Sequence, residues 1–355
     1  MLALVAKKRI RIAKIIKGRK LIILLNIIIL LSNLYTINKK ETLESSLMFT
    51  MVTIFALFLS AIYKEDKFVK LLSIYFILSI IFSVLMIGIF PSRGMMSDER
   101  FLAAKGIYGH KNILGRYMVI AFFFLISYAR LNLKKRKKCI GYLFAIISVF
   151  LIFISKSNTA ILYFIILSPI YMFIKNKKYL INTINKVVII IACVFSIFVF
   201  LNSNPQYYNM FSKINIGERT LSMTGRNVIW NYSLEKINSA KYLGYGFDAV
   251  WSSNEIITPF INKYGFTIPH AHNGYLDTTL QLGIIGLIIM SLILLSLIKS
   301  RKVDKIILGS IFTWFLILIN FTEAAFIEDT TYIFWILIVY FINSLNLDNE
   351  RKVII

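Results

Sequence analysis

Residues 68–90 read FVKLLSIYFILSIIFSVLMIGIF, with Lys70 as the only charge. A helix of that length, at about 1.5 Å per residue, is long enough to cross the ~30 Å hydrocarbon core of a bilayer. Such a core offers no water to the backbone, so only a structure that satisfies its own N–H and C=O groups can traverse it. The run therefore predicts a spanning helix. Apolar windows of similar kind recur near 21–37, 44–63, 113–130, 139–154, 160–174, 187–201, 275–298, 306–322 and 332–346, making ten in all. Composition points the same way. Of 355 residues 58% are hydrophobic and 16% charged, with a mean hydropathy of +0.72, which is too apolar for a domain surrounded by water. The expectation is an all-α polytopic bundle in which residues 1–355 form a single integral membrane domain.

Charge sets the orientation. Lysine and arginine are retained on the cytoplasmic side of short loops. With ten spans and an inside N-terminus, the segments 1–20, 63–70, 130–138, 175–186, 299–305 and 347–355 face the cytoplasm, and they hold 27 of the 41 basic residues. Both termini are thus expected inside. The first window follows a basic stretch from Lys7 to Lys20 with no small-x-small cleavage pattern after it, and it reads as an uncleaved anchor. The formal charge of +24 is dispersed over juxtamembrane loops, which suits anionic membrane lipids and argues against a nucleic-acid partner.

Three outer segments follow from this topology: 91–112, the turn Ser155–Thr159, and a large loop over 202–273 rich in glycine and proline. No cytoplasmic loop is long enough for a nucleotide-binding domain, and no Walker-type loop occurs. Cys139 and Cys193 lack metal-ligand spacing, and the absence of an Asp-x-Asp pair leaves a metal-bridged nucleotide-sugar mechanism without obvious ligands.

All three histidines, His110, His270 and His272, fall on the outer side. Two readings of His270 and His272 are open, a cap for the helix entering at Gly274 or an ionisable functional site at membrane depth. In Thr224-Gly225-Arg226-Asn227-Val228-Ile229-Trp230, a threonine N-cap would open a helix with Arg226 in its first turn and Trp230 one turn on. Backbone N–H groups and a guanidinium at one helix start suit a phosphate. Pairing of Arg226 with lipid headgroups and of Trp230 with the interfacial aromatic belt is equally compatible with this segment alone.

The combination is more specific than its parts. Arg226 opening a G-R-x-x-x-W helix, a long outer loop, and then His272-Asn273, nine residues and Gly283-x-x-Gly286 resembles the O-antigen ligase and polysaccharide polymerase superfamily. Upstream, Gly106-Ile107-Tyr108-Gly109-His110-Lys111-Asn112-Ile113-Leu114-Gly115-Arg116 resembles the G-x-x-G-H-K-N-x-L-G-R segment of its exopolysaccharide-production polymerases, and Ser155-Lys156-Ser157-Asn158-Thr159 resembles their S-R-S-x-T turn. Lys156 stands where the family usually has arginine; it keeps the charge without the bidentate fork.

The resemblance implies a GT-C-like glycosyltransferase in the cytoplasmic membrane, with its site on the extracytoplasmic face. It implies transfer of a glycan from an undecaprenyl-diphosphate-linked donor to a glycan acceptor without ATP, alongside other polysaccharide-assembly membrane proteins. Within that chemistry His272 is the expected base and Arg226 the main cation on the leaving diphosphate. Lys156, Lys111, Arg116, His110, Asn273 and Trp230 are the expected substrate-binding residues, with no metal or other cofactor. Asn273 or Asp277 would orient the base or the acceptor. The 106–116 segment favours a polymerase over a ligase that attaches finished glycan to lipid A core or another acceptor. A lipid-linked glycan transporter predicts paired half-repeats or charges through the bundle centre, and the sequence has neither.

Overall fold

The structure, a computed structural model, describes residues 19–98, 101–173, 180–191, 215–216, 219–220, 226–299, 307–326 and 332–353. In chain order its helices are α1 (Lys20–Leu31), α2 (Lys39–Ile62), α3 (Glu65–Ile89), α4 (Lys111–Leu131), α5 (Lys135–Ile154), α6 (Asn158–Phe173), α7 (Leu180–Ile191), α8 (Arg226–Ser239), α9 (Asn254–Tyr264), α10 (Gly274–Lys299), α11 (Leu308–Ile319) and α12 (Tyr332–Val353). Five of them, α2, α3, α4, α5 and α10, are long and apolar enough to cross a membrane, and five shorter apolar helices accompany them. Apolar side chains such as Met51 on α2, Phe82 on α3 and Ile146 on α5 are exposed, which only lipid makes tolerable for so many. The protein is an all-α integral membrane protein. Its only described strands are two short antiparallel hairpins, Met95–Asp98 with Phe101–Ala104 and Asn215–Ile216 with Arg219–Thr220. The expected N-cap Thr224, the basic residues Lys7 to Lys17 and Cys193 lie outside the described residues.

The chain folds as two compact units, Met1–Ala61 with Thr183–Ser300 and Leu316–Ile355, and Ile62–Asn182 with Arg301–Phe315. In the second unit α4 is the central helix, buried along most of its length. Its phenylalanines pack edge-on or tilted against Phe76 of α3 and Phe164 and Tyr171 of α6. Close approach depends on glycine. A Cβ on Gly115 would stand 2.7 Å from Ala160 Cβ and 3.1 Å from Ser155 Oγ, so the start of α4 rests directly on the α5–α6 turn.

In the first unit, Phe49 of α2 packs against Trp335 of α12 and Phe247, and the Trp335 indole donates to Thr53 Oγ1 at 2.7 Å. The long helix α10 is broken at Gly283, whose φ of 65° and ψ of −170° interrupt the helical ladder. The loop after α8 docks in the break. Tyr245 N and Gly246 N donate to the carbonyls of Leu280 and Gln281, and Ile284 N donates to Lys241 O, all at 2.9–3.0 Å. These bonds take up backbone groups that the break releases. Glycines three apart on a membrane helix, as Gly283 and Gly286 are, permit close helix packing; here Gly283 instead admits a loop, for a Cβ there would lie 2.0 Å from Tyr242 O.

Candidate active site

In the first unit, three elements bring charged groups to one carboxylate. The first is the opening turn of α8, where Arg226 is the first helical residue. The second is the loop His270–Asn273 that leads into α10, and the third is the turn after α11, residues Asn320–Ala325, which carries Glu323. Arg226 Nη2 lies 3.4 Å from Glu323 Oε1, and His272 Nδ1 lies 3.4 Å from Glu323 Oε2, with His270 Nε2 4.0 Å from the same oxygen. Glu323 is buried, with its side chain 3% exposed, whereas the Arg226 and His272 side chains are 26% and 24% exposed. The carboxylate thus sits beneath, and the guanidinium and the imidazole stand partly exposed at its edge.

Each support has a local cause. Asn273 Oδ1 accepts the backbone N–H groups of Tyr275 and Leu276, so the cap of α10 is Asn273 and neither histidine is needed for it. Asp277, one turn into α10, accepts Ala271 N–H at 3.0 Å and the Trp251 indole N–H at 2.7 Å through one oxygen. Trp230 donates its indole N–H to Ala271 O at 3.0 Å. The peptide between the two histidines is therefore held from both sides, by α10 and by α8. His272 itself has φ 49°, a left-handed conformation that costs a non-glycine residue on the order of 1 kcal/mol. The cost is sustained by the bonds at Ala271 and Asn273, and it turns the imidazole toward Glu323.

The ligand-type atoms of His270, His272 and Glu323 fall within 4.8 Å of one another, a spacing that a metal ion can use. Hydrogen bonding favours a proton-bearing cluster. His270 Nδ1 accepts the His272 backbone N–H at 3.1 Å, so its lone pair is occupied and the ring proton sits on Nε2, the atom that faces Glu323. A protonated ring nitrogen is no ligand, which leaves two donors beside a guanidinium.

The other residues read from the sequence fall as follows. Trp230 and Asn273 are buried, each at 3% exposure or less, with polar atoms engaged by backbone. His110, Lys111, Arg116 and Lys156 belong to the second unit. There His110 caps α4 by accepting Asn112 N–H, Arg116 is buried within α4, and Lys156 is exposed in a left-handed conformation at φ 52°. Through Gly115 the unit joins two segments that the sequence presents 40 positions apart, Gly106–Arg116 and Ser155–Thr159. Glu323 is the residue that motif reading passed over. Its signal was an acidic side chain directly at the end of an apolar window, where burial of a charge is costly and calls for partners.

A membrane protein with a buried carboxylate, a guanidinium and two imidazoles gathered at helix termini is the class that the fold and this cluster describe. The comparisons narrow that class: the family model described as O-antigen ligase matches residues 143–291, from α5 into α10, a stretch that includes Lys156, Arg226, His272 and the Gly283 break. The match supports the superfamily of O-antigen ligases and polysaccharide polymerases, with a ligase- or polymerase-type function and a glycosyltransferase type of enzyme. A search of curated proteins found no match.

Proposed function

We propose that the protein is a polysaccharide polymerase of the cytoplasmic membrane, with ten spans and both termini inside. It joins a glycan carried on undecaprenyl diphosphate to a sugar hydroxyl on the outer face, in capsule, exopolysaccharide or O-antigen assembly. The observation that carries this reading is the approach of Arg226 and His272 to opposite oxygens of Glu323, each at 3.4 Å, at a partly open edge.

In the reaction the acceptor oxygen forms a bond to the anomeric carbon of the donor sugar while the bond from that carbon to the diphosphate oxygen breaks. Two demands follow: neutralisation of charge on the departing diphosphate, and removal of the hydroxyl proton. Arg226 supplies fixed positive charge with several N–H donors in a fork that suits phosphate oxygens. His272 takes the proton. Lys111, Arg116 and Lys156 are further cations in this reading and His110 a further substrate-binding residue, and the large loop over 202–273 carries part of the site. The proton on His270 Nε2 supports a mechanism without a bound metal.

The 106–116 segment supports polymerase over ligase. Deletion of the gene tests the choice. The expected host phenotype is accumulation of single undecaprenyl-linked repeat units without long polymer; long lipid-linked polymer that fails to reach its final acceptor would replace this reading with the ligase.

A further inference from the structure

We infer that Glu323 is a positioning residue that holds one tautomer of His272, with the proton on Nδ1 and a bare Nε2 for the incoming hydroxyl. The inference rests on the reading of His272 as the base and adds a residue that no motif supplies.

The argument begins with what surrounds the imidazole. His272 Nδ1 is shielded from solvent and makes no hydrogen bond of full geometry, yet it lies 3.4 Å from a buried carboxylate oxygen. A buried carboxylate is an acceptor only, so the ring nitrogen facing it is stable there with a proton and unstable without one. Among the described residues, three further charged or titratable groups stand around His272 and Glu323. His270 packs against it with ring centroids 4.2 Å apart and points its own Nε2–H at Glu323. Arg226 meets the other carboxylate oxygen. Asp277 faces the loop backbone through Ala271 N–H. Among these, Glu323 alone offers an acceptor to Nδ1, and a neutral imidazole with Nδ1–H has its lone pair on Nε2.

The same carboxylate couples the two halves of the site. Glu323 keeps the Arg226 guanidinium beside the base while one nitrogen of it is engaged, leaving other N–H donors for a diphosphate. Its own position is fixed by the turn: Glu323 N donates to Ile319 O, and Asn320 ties the turn to Gly274 and Ala325. A carboxylate so anchored orients a ring without itself taking up the proton.

Glu323→Gln tests this, since it keeps the shape and presents an amide N–H in place of one acceptor oxygen. The full chain is studied in nanodiscs, with undecaprenyl diphosphate as the binding probe and turnover read as its release from lipid-linked repeat units extracted from the gene-deletion host. The expected result is turnover reduced by roughly 10²–10⁴, probe affinity weakened by no more than about threefold, and partial recovery in Glu323→Asp. With the ring neutral, ¹⁵N spectra of histidine-labelled protein should show His272 protonated on Nδ1 in the wild type and on Nε2 in Glu323→Gln. Wild-type turnover in Glu323→Gln, or an Nε2–H tautomer in the wild type, would overturn the assignment. Retained turnover in His272→Ala would instead remove the base reading, and the spectra would still decide whether Glu323 holds the ring.

Discussion

Gly274 donates its backbone N–H to the carbonyl of Asn320 at 2.8 Å, and the space its missing side chain leaves is filled by the Asn320 amide, whose Oδ1 would lie 1.9 Å from a Cβ. This contact joins the first residue of α10 to the turn that carries Glu323. His272 stands two residues before one partner, and Glu323 three residues after the other. The distance between base and carboxylate is thus set by backbone contact and a glycine rather than by long side chains. Tyr275 reinforces the junction, since its hydroxyl donates to Ile317 O at 3.0 Å and its ring packs on Phe321 and Phe326.

A methyl group at Gly274 should therefore act on stability and chemistry together. Gly274→Ala forces Asn320 away from a packed position, at a cost of about 1–3 kcal/mol for an overpacked site. The expected outcome is a lowered melting temperature in nanodiscs and a turnover loss larger than any loss in undecaprenyl diphosphate binding. Unchanged melting and turnover would mean that the two turns are not held by this contact.

The segment from α8 to α9 should weaken in alkali. Burial raises the Tyr232 phenol above its ordinary value of 10.0, with the Glu235 carboxylate adding to the effect, and the phenol donates to Ile256 O at 2.6 Å. Burial likewise raises Tyr245, whose hydroxyl donates to Lys236 O. A folded-state value above the unfolded one means that stability is fully present below pH about 10 and is lost as pH rises through the folded value, because the unfolded chain gives up its protons first. Melting temperatures between pH 8 and 11 should fall across the upper part of that range, and Tyr232→Phe should flatten the fall. A profile with no decline above pH 10 would contradict the burial of these phenols.

Topology is tested by insertion. Reporters fused after Lys138 or Lys302 should behave as cytoplasmic and one inserted near Ser253 as external. A cytoplasmic signal at Ser253 would move Arg226, His272 and Glu323 to the wrong face for a lipid-linked glycan donor and end the proposal.

Much of the architecture was legible because lipid imposes one rule on every residue of a span, and long apolar runs state it openly. Among the described residues, helices coincide with nine of the ten apolar windows, as at 68–90 and 113–130, while most of the window 187–201 lies outside the described residues. Arg226 and His272 were legible as members of a spaced pattern, and the structure brings them together. What stayed hidden depended on tertiary contact. Nothing local tells Glu323 that it will meet Arg226 and His272, since its partners come from α8 and the loop before α10. Gly283 is similar: its spacing from Gly286 looks like a packing motif, and only the docking of residues 241–246 into the broken helix reveals why a left-handed φ is required. Trp230 also shows the limit of pattern reading. Its position one turn from Arg226 placed it near the site, but whether its indole faces sugar or backbone depended on where Ala271 lies.

The central claim is that Arg226 holds the donor's diphosphate while His272 acts on the acceptor, and one comparison separates those roles. Purified wild type, Arg226→Ala and His272→Ala are measured in nanodiscs for undecaprenyl diphosphate affinity and for turnover on lipid-linked repeat units. Loss of a charge-assisted bond in Arg226→Ala should weaken binding by roughly ten- to a hundredfold, about 1.5–3 kcal/mol, and lower turnover as well. His272→Ala should bind nearly as the wild type does while its turnover drops by roughly 10²–10⁴. Near-wild-type turnover in a folded His272→Ala protein would contradict the account.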